Sequence, residues 1–438
     1  MERLTSFLGL FVMIALAWAM SSGRRSVRWR PVAWGVALQF AFALLLLSPG
    51  VRAIFFDGVD GAVRRMLSFA EAGATFVFQS LVPHTVLGPD GAPITGPDGA
   101  PVVYVGQVSP ATRTFAFWVL PSIVFFSSLM RVGYHVGLMQ RVVWALGWLM
   151  QRTLGVSGAE SLAASANVFV GQTEAPLLVR PYVATMTRSE LFSVMVGGFA
   201  TVSGGIMAAY VGFLERIPGI AGHLVTASIL SAPAALAIAK VMEPEREEPV
   251  TAGRLSLSAV QTPDGDRNVL EAAARGATEG MSLAINVAAM LIAFVALVAM
   301  GDWVLGLVPV GGAPLSLARV LGVAFAPLAF AMGVPWHEAG EVGRLLGEKM
   351  VLTEFIAYVH LGEQLAGPDP ISTRSAVIAS YALCGFANFA SIGIQLGGIG
   401  AMAPERMGDL AAIGFRAMLG GSLAAFMTAC VAGVFLPA

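Results

Sequence analysis

Apolar residues dominate the chain in long runs that are separated by short polar segments. A helix that crosses about 30 Å of hydrocarbon needs about 20 mostly apolar residues, and runs near this length predict eight membrane spans. The predicted spans cover residues 4–20, 32–50, 111–131, 190–213, 220–241, 281–308, 375–396 and 410–436. The pattern therefore indicates an all-α integral membrane protein.

Two further stretches, residues 158–185 and 336–360, are too long for loops. They are also too polar, and too often interrupted by glycine or proline, to form one continuous span. Irregular backbone at membrane depth is tolerated only where it is buried in protein or lines a cavity. We therefore predict two re-entrant helical hairpins, each of which enters and leaves the membrane on one side.

The composition agrees with a membrane protein. Hydrophobic residues make up 56% of the chain and charged residues 12%, against about 25% charged residues in soluble domains. Four arginines follow the first span: Arg24, Arg25, Arg28 and Arg30. A cleavable signal carries its positive charge before the apolar core, so we expect a retained helix with these arginines in the cytoplasm and both termini outside.

The charge and the cysteine and histidine content exclude several classes of function. The 26 basic and 27 acidic residues give a net charge of −1, so there is no basic footprint for nucleic acid. The two cysteines, Cys384 and Cys430, lie in apolar segments, and no histidine pair has metal-ligand spacing. We predict no cofactor and no enzymatic centre.

The two halves of the chain repeat one another around a polar linker, residues 243–267. The stretch "TRSELFSVMVGGFATVSGG" from Thr187 matches "TRSAVIASYALCGFANFASIG" from Thr373, and "GVSGAE" from Gly155 matches "GVPWHE" from Gly333. Counting spans places the two repeats in opposite orientations. Inverted repeats are typical of secondary transporters, which build a site near the bilayer midplane from discontinuous helices.

The first hairpin contains a carboxylate in the stretch "ANVFVGQTEAPLLVRPY". A charge at mid-membrane costs about 2.5 kcal/mol or more, so Glu174 is a functional candidate. Alternatively, Glu174 caps a half-helix, where the macrodipole favours an anion. Gln172 and Thr173 favour a binding function because they add donors and acceptors that a cap does not need.

The second hairpin and the seventh span contribute further candidates. Glu354 lies in "VLTEFIAY", although an interfacial position would also explain a carboxylate there. Asn388 and Ser391 stand three residues apart and share a helix face. Such residues often only join membrane helices, but with Phe386 they form a set that suits a sugar hydroxyl and a stacked ring.

The stretches "GQTEAPLLVRPY", "EFIAY" and "ALCGFANFASI" resemble the concentrative nucleoside transporters, in the order in which that family carries them. The resemblance covers nearly the whole chain, and the length and the eight-span count look like those of the bacterial members. It implies a homotrimer in the bacterial inner membrane, in which each protomer joins a scaffold domain to a mobile transport domain that holds both hairpins.

The resemblance also implies roles for individual residues. Gln172, Thr173 and Glu174 would face the nucleobase, and Phe386 and Ile206 would pack against it. Glu354, Asn388 and Ser391 would bind the ribose hydroxyls. A sodium ion would lie between the first hairpin and the fourth span, where its ligands would be the side chains of Asn167 and Thr201 and the carbonyls of Val170 and Val202.

Two positions depart from the family pattern. Thr353 precedes the second acidic residue where the family often has asparagine, which affects the sugar contacts. Thr201 stands where serine is common, which keeps the hydroxyl that the cation site needs. The implied division of the chain is residues 1–131 as scaffold with the outer loop, 132–242 as the first transport repeat, 243–280 as linker and amphipathic segment, 281–316 as scaffold and 317–438 as the second transport repeat.

The sequence therefore predicts cation-coupled nucleoside uptake by alternating access, with sodium as the expected ion. A proton in place of sodium would keep the same fold. A passive channel and an intramembrane enzyme that uses Glu174 and Glu354 as acid and base are the remaining alternatives. The repeat "GPDGAPITGPDGAPVV" in the longest outer loop is expected to form a small hairpin without chemistry.

Overall fold

The computed structural model describes residues 2–79, 81, 84–86, 92–104, 114–253, 266–310 and 313–437. These residues form 18 α-helices and two short antiparallel hairpins. The helices are α1 (Glu2–Ala19), α2 (Trp29–Leu47), α3 (Pro49–Phe78), α4 (Leu120–His135), α5 (Leu138–Leu154), α6 (Gly158–Ala166), α7 (Glu174–Leu177), α8 (Arg180–Val183), α9 (Arg188–Ala200), α10 (Gly204–Phe213), α11 (Ile220–Met242), α12 (Val269–Gly306), α13 (Leu317–Ala331), α14 (Trp336–Val351), α15 (Glu354–Ala366), α16 (Thr373–Leu383), α17 (Phe389–Met402) and α18 (Met407–Phe435). The strands are β1 (His84–Thr85), β2 (Val103–Tyr104), β3 (Pro309–Val310) and β4 (Ala313–Pro314).

Five helical segments among the described residues are long and apolar enough to cross a membrane. They are Glu2–Ala19, Trp29–Leu47, Arg188–Phe213, Ile220–Met242 and Pro404–Phe435, and each coincides with a predicted span. The number rises to seven if each of two bent helix pairs counts as one span. The prediction of an all-α membrane protein is confirmed.

The other three predicted spans take less regular forms. The span at 111–131 is a π-helical turn, Phe115–Val119, that continues into α4, and residues 111–113 lie outside the described part. The span at 281–308 is the later part of the 38-residue helix α12. The span at 375–396 is divided between α16 and α17.

Both predicted hairpins fold as two helical arms joined by a non-helical tip. In the first, α6 is one arm, and α7 and α8 together form the other. The second arm is interrupted at Val179, because Pro181 stands in the first turn of α8 and has no N–H for a continuous helix. In the second hairpin, α14 and α15 are separated only by Leu352 and Thr353.

Capping boxes fix where the first hairpin and the following span begin. The Ser157 side chain accepts a hydrogen bond from the N–H of Glu160, whose carboxylate accepts one from the N–H of Ser157 at 2.7 Å. Thr187 and Glu190 form the same reciprocal pair at the start of α9, at 2.9 Å. Each box satisfies two N–H groups that the first turn of a helix leaves unpaired.

Two spans are broken, and the breaks contact one another. Helix α9 ends at Ala200 and α10 begins at Gly204, while α16 and α17 are separated by residues 384–388. The N–H of Phe386 donates to the carbonyl of Thr201 at 3.3 Å. Gly385 has φ +140°, and a Cβ there would lie 2.6 Å from the carbonyl oxygen of Phe199. The contact between the breaks therefore requires glycine at this position.

Three helices were not predicted from the sequence. Helix α3 spans much of a segment that we expected to be an outer loop, because Asp57, Asp60 and Arg64 break its apolar run. Helix α5 is amphipathic and packs against α6, and α13 is apolar but has only 15 residues. Each of these helices is shorter or less apolar than a full span. Contacts with neighbouring helices compensate for the polar face or the short length.

The segments outside the spans agree in part with expectation. The second copy of the loop repeat forms a tight turn, where Gly96 donates to Ala100 at 2.8 Å, beside the paired strands β1 and β2. Residues 87–91, which include the first four residues of the first copy, lie outside the described residues. So do residues 254–265 of the predicted linker, and α12 begins at Val269, earlier than the predicted span, with Asn268 as its N-cap.

The core lies around α11, which packs against α2, α9 and α18. Nearly every residue of α9 and α11 is buried, so these helices are covered by protein on all sides, unlike a helix on a soluble surface. Their packing fixes the positions of the broken spans and the first hairpin around a group of polar residues.

Candidate functional site

A cavity of about 500 Å³ lies where the tips of both hairpins meet the two helix breaks. Its wall includes all eight predicted substrate residues: Gln172, Thr173, Glu174, Ile206, Glu354, Phe386, Asn388 and Ser391. Side chains of α12 close the other side, among them Ser282 and Asn286. Residues from distant parts of the sequence thus converge on one cavity with polar groups in a largely apolar wall.

Glu354 is the most enclosed acidic group of the site. Its side chain is 4% exposed, and its Oε1 accepts a hydrogen bond from the Tyr210 hydroxyl at 2.9 Å. Its Oε2 accepts one from Nδ2 of Asn388, also at 2.9 Å. It is the first residue of α15, where the helix dipole stabilises an anion. An ionised carboxylate has about four lone-pair positions, so acceptor capacity remains for a ligand.

Asn388 connects this carboxylate to the rest of the site. Its Oδ1 caps α17 by accepting from the N–H of Ser391 at 2.9 Å. The Ser391 hydroxyl accepts from Nε2 of Gln172 at 3.2 Å, and Oε1 of Gln172 accepts from Nε2 of Gln395 at 3.1 Å. One hydrogen-bonded chain therefore runs from the second hairpin through the seventh span to the first hairpin.

Glu174 occupies a more open position than Glu354. It begins α7, is exposed to the cavity, and has no hydrogen-bond partner among the residues that the structure describes. A second cavity of about 440 Å³ shares Gly171, Thr173 and Glu174 and extends to Tyr134 on α4. Glu174 therefore borders both spaces, with free acceptor oxygens facing the space where a ligand would lie.

The apolar part of the wall is aromatic and aliphatic. Phe386, Phe355 and Ile206 line the cavity. Behind them, the ring of Tyr210 stacks on Tyr358 with centroids 4.1 Å apart and planes at 24°. A cavity with a flat apolar wall and polar groups at its ends suits a small ligand that combines a planar ring with hydroxyls.

The predicted sodium ligands lie together beside the first break. Asn167 follows the end of α6 and is fully buried, and neither its Oδ1 nor its Nδ2 has a hydrogen-bond partner among the described residues. The Thr201 hydroxyl donates to the carbonyl of Gly197 at 2.9 Å, and a Cβ on Gly197 would lie 3.2 Å from Nδ2 of Asn167. Val202 is fully buried, and Val170 borders the second cavity.

This group fits a cation better than it fits a closed core. Leaving a buried amide unpaired costs about 1–3 kcal/mol. Amide, hydroxyl and carbonyl oxygens are hard ligands, and unwound segments of broken membrane helices present them to sodium. The donor set and the unpaired amide of Asn167 are therefore consistent with a sodium site.

Sequence reasoning missed two residues that hold the site together. Tyr210 binds Glu354, and Gln395 binds both Gln172 and the carbonyl of Met195, at 3.2 Å. Each lies four residues after a predicted site residue on the same helix, Ile206 and Ser391 respectively, so the helical period was an available signal. On α12, Thr278, Ser282 and Asn286 form a polar stripe at the same spacing, and all three line the cavity.

Broken spans, two hairpins and a cavity between them define a membrane transport protein. Three family models match the chain: "Na+ dependent nucleoside transporter N-terminus" over residues 8–81, "Nucleoside recognition" over 116–216 and "Na+ dependent nucleoside transporter C-terminus" over 223–433. The protein belongs to the Na⁺-dependent nucleoside transporter family, and the resemblance seen in the sequence is confirmed.

Curated relatives are similar over almost the whole chain. Solute carrier family 28 member 3 of Mus musculus is 40% identical over 99% of this chain and 59% of its own length. Sodium/nucleoside cotransporter 1 of Sus scrofa is 41% identical over 99% of this chain and 64% of its own length. The chain thus spans about three fifths of these animal proteins. An uncharacterized transporter of Haemophilus influenzae is 40% identical over 100% of this chain and 98% of its own.

Solved structures of the transporter CNTnw share the fold. An inward-facing, substrate-bound state has a TM-score of 0.84 at 39% identity and covers 99% of this chain and 98% of CNTnw. A variant in an outward-facing state has a TM-score of 0.86 at 38% identity, with 99% of both chains covered. The predicted fold class is therefore confirmed by solved transporters in opposite conformational states.

Proposed function

We propose that the protein takes up nucleosides together with sodium by alternating access. The observation that carries this proposal is the convergence of Glu174, Glu354 and Asn388 on one cavity of about 500 Å³ that also has an aromatic wall. Its chemistry suits a molecule with vicinal hydroxyls at one end and a planar, polar base at the other. The relatives named as sodium/nucleoside cotransporters support the same substrate class.

Glu354, Asn388 and Ser391 form the sugar subsite. The two Glu354 oxygens accept from Tyr210 and Asn388, which orients the carboxylate and leaves lone pairs for ribose hydroxyls. Hydrogen bonds to an ionised group are about twice as strong as neutral ones. A ribose that lacks one hydroxyl therefore binds less well.

Gln172, Thr173 and Glu174 form the polar side of the base subsite, and Phe386 and Ile206 form its apolar side. Glu174 has acceptor oxygens without partners among the described residues, so it is available to the donors of a base directly or through water. Gln172 is held by Ser391 and Gln395 at 3.2 and 3.1 Å, which couples the base subsite to the sugar subsite.

Sodium binds beside Asn167, with the Thr201 hydroxyl and the carbonyls of Val170 and Val202 as further ligands. The unpaired, fully buried amide of Asn167 supports this assignment. Sodium would draw α6 and the break after α9 together, because Asn167 follows α6 and Thr201 follows α9. Coupling follows because an ion shifts a conformational balance by its differential affinity for the two states.

The moving part is a transport domain made of residues 132–242 and 317–438, and the scaffold consists of residues 1–131 and 281–316. Helices α4 and α12, which lie largely in the scaffold, pack closely together. Residues of α12 line the substrate cavity, and residues of α4 line the second cavity beside it. We further propose a homotrimer in the bacterial inner membrane, with inverted repeats and both termini outside. The basic cluster from Arg24 to Arg30 supports this orientation.

The test is uptake of labelled uridine and adenosine into proteoliposomes, with and without an inward sodium gradient. Accumulation against the nucleoside gradient only when sodium is present supports the proposal. Uptake driven by a pH gradient would show that protons, and not sodium, are the coupling ion. Equilibration of the nucleoside across the membrane without accumulation would indicate a channel. Chemical conversion of the nucleoside by purified protein would point to an enzyme.

A further inference from the structure

Lys349, near the end of the first arm of the second hairpin, is fully buried. Its Nζ donates to the carbonyl oxygen of Ala382 at 2.9 Å and lies 5.8 Å from the centre of the Phe426 ring. Glu354 begins the other arm of the same hairpin, across a tip of two residues. A lysine ammonium carries three donors, so a single carbonyl, a ring face and a nearby carboxylate form an unusual environment. Ionisable residues at this depth are functional candidates.

The carbonyl that Lys349 binds belongs to the broken end of α16. The last carbonyls of a helix have no partner within the helix, and here two of them are bound by side chains of the second hairpin. The Tyr358 hydroxyl donates to the carbonyl of Ser380 at 2.7 Å, and Lys349 donates to that of Ala382. The C-terminal end of a helix carries partial negative charge, so it favours a cation at this position.

At the corresponding place in the first half, the part of the chain that the structure describes presents no such charge. There the arm α6 meets the broken end of α9, and the described contacts are a hydroxyl, that of Thr201, and the unpaired amide of Asn167. Half-helix ends of this kind coordinate sodium or a proton in transporters. The two halves thus present the same junction of hairpin arm and broken span, once with neutral oxygen ligands and once with a lysine.

We propose that Lys349 is a built-in cation that takes, in the second half, the place that a sodium ion takes in the first. This inference rests on the proposed function. Because the ammonium is covalently attached, it balances the charge of Glu354 throughout the cycle and never dissociates. The transporter therefore needs only one sodium ion to load the site, and the sugar subsite keeps its counter-charge in the empty state.

The number of sodium ions is readable from nucleoside binding to the purified full chain. Binding of uridine and adenosine is measured by calorimetry at sodium concentrations below saturation. One coupled ion predicts that affinity rises about tenfold for a tenfold rise in sodium, and two ions predict about a hundredfold. We expect about tenfold for the unaltered protein, and a hundredfold rise would overturn the inference. No binding of either nucleoside at any sodium concentration would instead contradict the proposed function.

Two substitutions separate a tethered cation from a structural lysine. Lys349→Gln offers an oxygen ligand in place of the ammonium, and Lys349→Met fills similar space without one. We expect the sodium dependence to steepen toward a hundredfold in Lys349→Gln and to stay near tenfold, with weaker nucleoside binding, in Lys349→Met. Equal dependence and equal affinity in both variants and the unaltered protein would refute the role of Lys349.

A variant that does not fold leaves the measurement on the unaltered protein in place. The reversal potential of nucleoside-dependent current in proteoliposomes fused to a planar bilayer gives the charge moved per nucleoside. One charge per nucleoside supports the inference, and two charges contradict it.

Discussion

Asn388 and Glu354 are joined by a hydrogen bond of 2.9 Å from Nδ2 to Oε2. One lies in the break of the seventh span and the other begins the second arm of a hairpin. The bond is buried, since Asn388 is 2% and Glu354 4% exposed. This hydrogen bond ties the hairpin tip to the broken span, so under the proposed mechanism the two would move together with a bound nucleoside.

The first prediction concerns the charge of Glu354. Glu354→Gln keeps the size of the side chain but removes an ionised acceptor, so ribonucleoside affinity should fall by about 2 kcal/mol, or roughly thirtyfold. The loss should be smaller for 2′- or 3′-deoxy analogues, which already lack one hydroxyl. Calorimetry on both classes measures it, with Glu363→Gln, on the exposed part of the same helix, as the matched control. Equal losses for the two classes would refute the assignment of Glu354 to the sugar.

The second prediction tests Tyr210, whose hydroxyl orients Glu354. Tyr210→Phe retains the ring stacked on Tyr358 and removes only the 2.9 Å bond. We expect ribonucleoside binding to weaken by about 1 kcal/mol, or roughly fivefold, without a change in sodium dependence. Tyr358→Phe is the control, because the Tyr358 hydroxyl donates to the carbonyl of Ser380 and not to Glu354. If Tyr358→Phe weakens binding as much, the effect comes from packing.

These residues illustrate what the sequence makes visible. Glu174, Glu354 and Asn388 were predicted because polar side chains inside apolar runs are costly and therefore conspicuous. Tyr210 was missed because an aromatic residue in a membrane helix has an ordinary core explanation. Its partner, Glu354, lies 144 residues further along the chain, and only tertiary structure brings the two together.

The helices, like the site residues, divide into those that the sequence predicts and those that depend on tertiary packing. Spans with strong apolar runs were predicted with nearly correct bounds, as for Ile220–Met242. Helix α5 was missed because its amphipathic pattern does not reach span length, and its place is determined by packing against α6. The division of the second arm of the first hairpin into α7 and α8 depends on a local proline effect that hydropathy does not report.

The third prediction concerns sodium. Asn167→Ala removes one oxygen of the proposed sodium site, so the sodium concentration for half-maximal uptake should rise about tenfold, equivalent to ~1.4 kcal/mol. Because both amide atoms of Asn167 lack partners, the sodium-free protein should lose no thermal stability. The rise in Tm that sodium gives to the unaltered protein, by binding the native state, should largely disappear.

The control for that variant is Asn268→Ala, which removes the side-chain cap of α12 at 2.9 Å but lies outside the site. It should lower stability by about 1 kcal/mol, as lost caps do, and leave the sodium dependence unchanged. An Asn167→Ala protein that melts at a lower temperature without sodium, yet keeps its normal sodium response, would show a structural role instead.

The last prediction concerns the contact between the two broken spans. Gly385 has φ +140°, and a Cβ would lie 2.6 Å from the carbonyl oxygen of Phe199 and 2.9 Å from the carbonyl carbon of Ala200. Gly385→Ala therefore combines backbone strain, about 1–3 kcal/mol, with a clash against backbone atoms that do not yield easily. It should lower Tm and weaken both nucleoside and sodium binding, because Thr201 and Phe386 meet at this contact.

Gly393→Ala is the control. Gly393 lies within helix α17 and no atom lies within 4 Å of the added Cβ, so this change should leave Tm unchanged or raise it. If Gly385→Ala lowered Tm but left both ligands bound normally, the contact between the breaks would serve folding alone and would not couple the ion to the substrate.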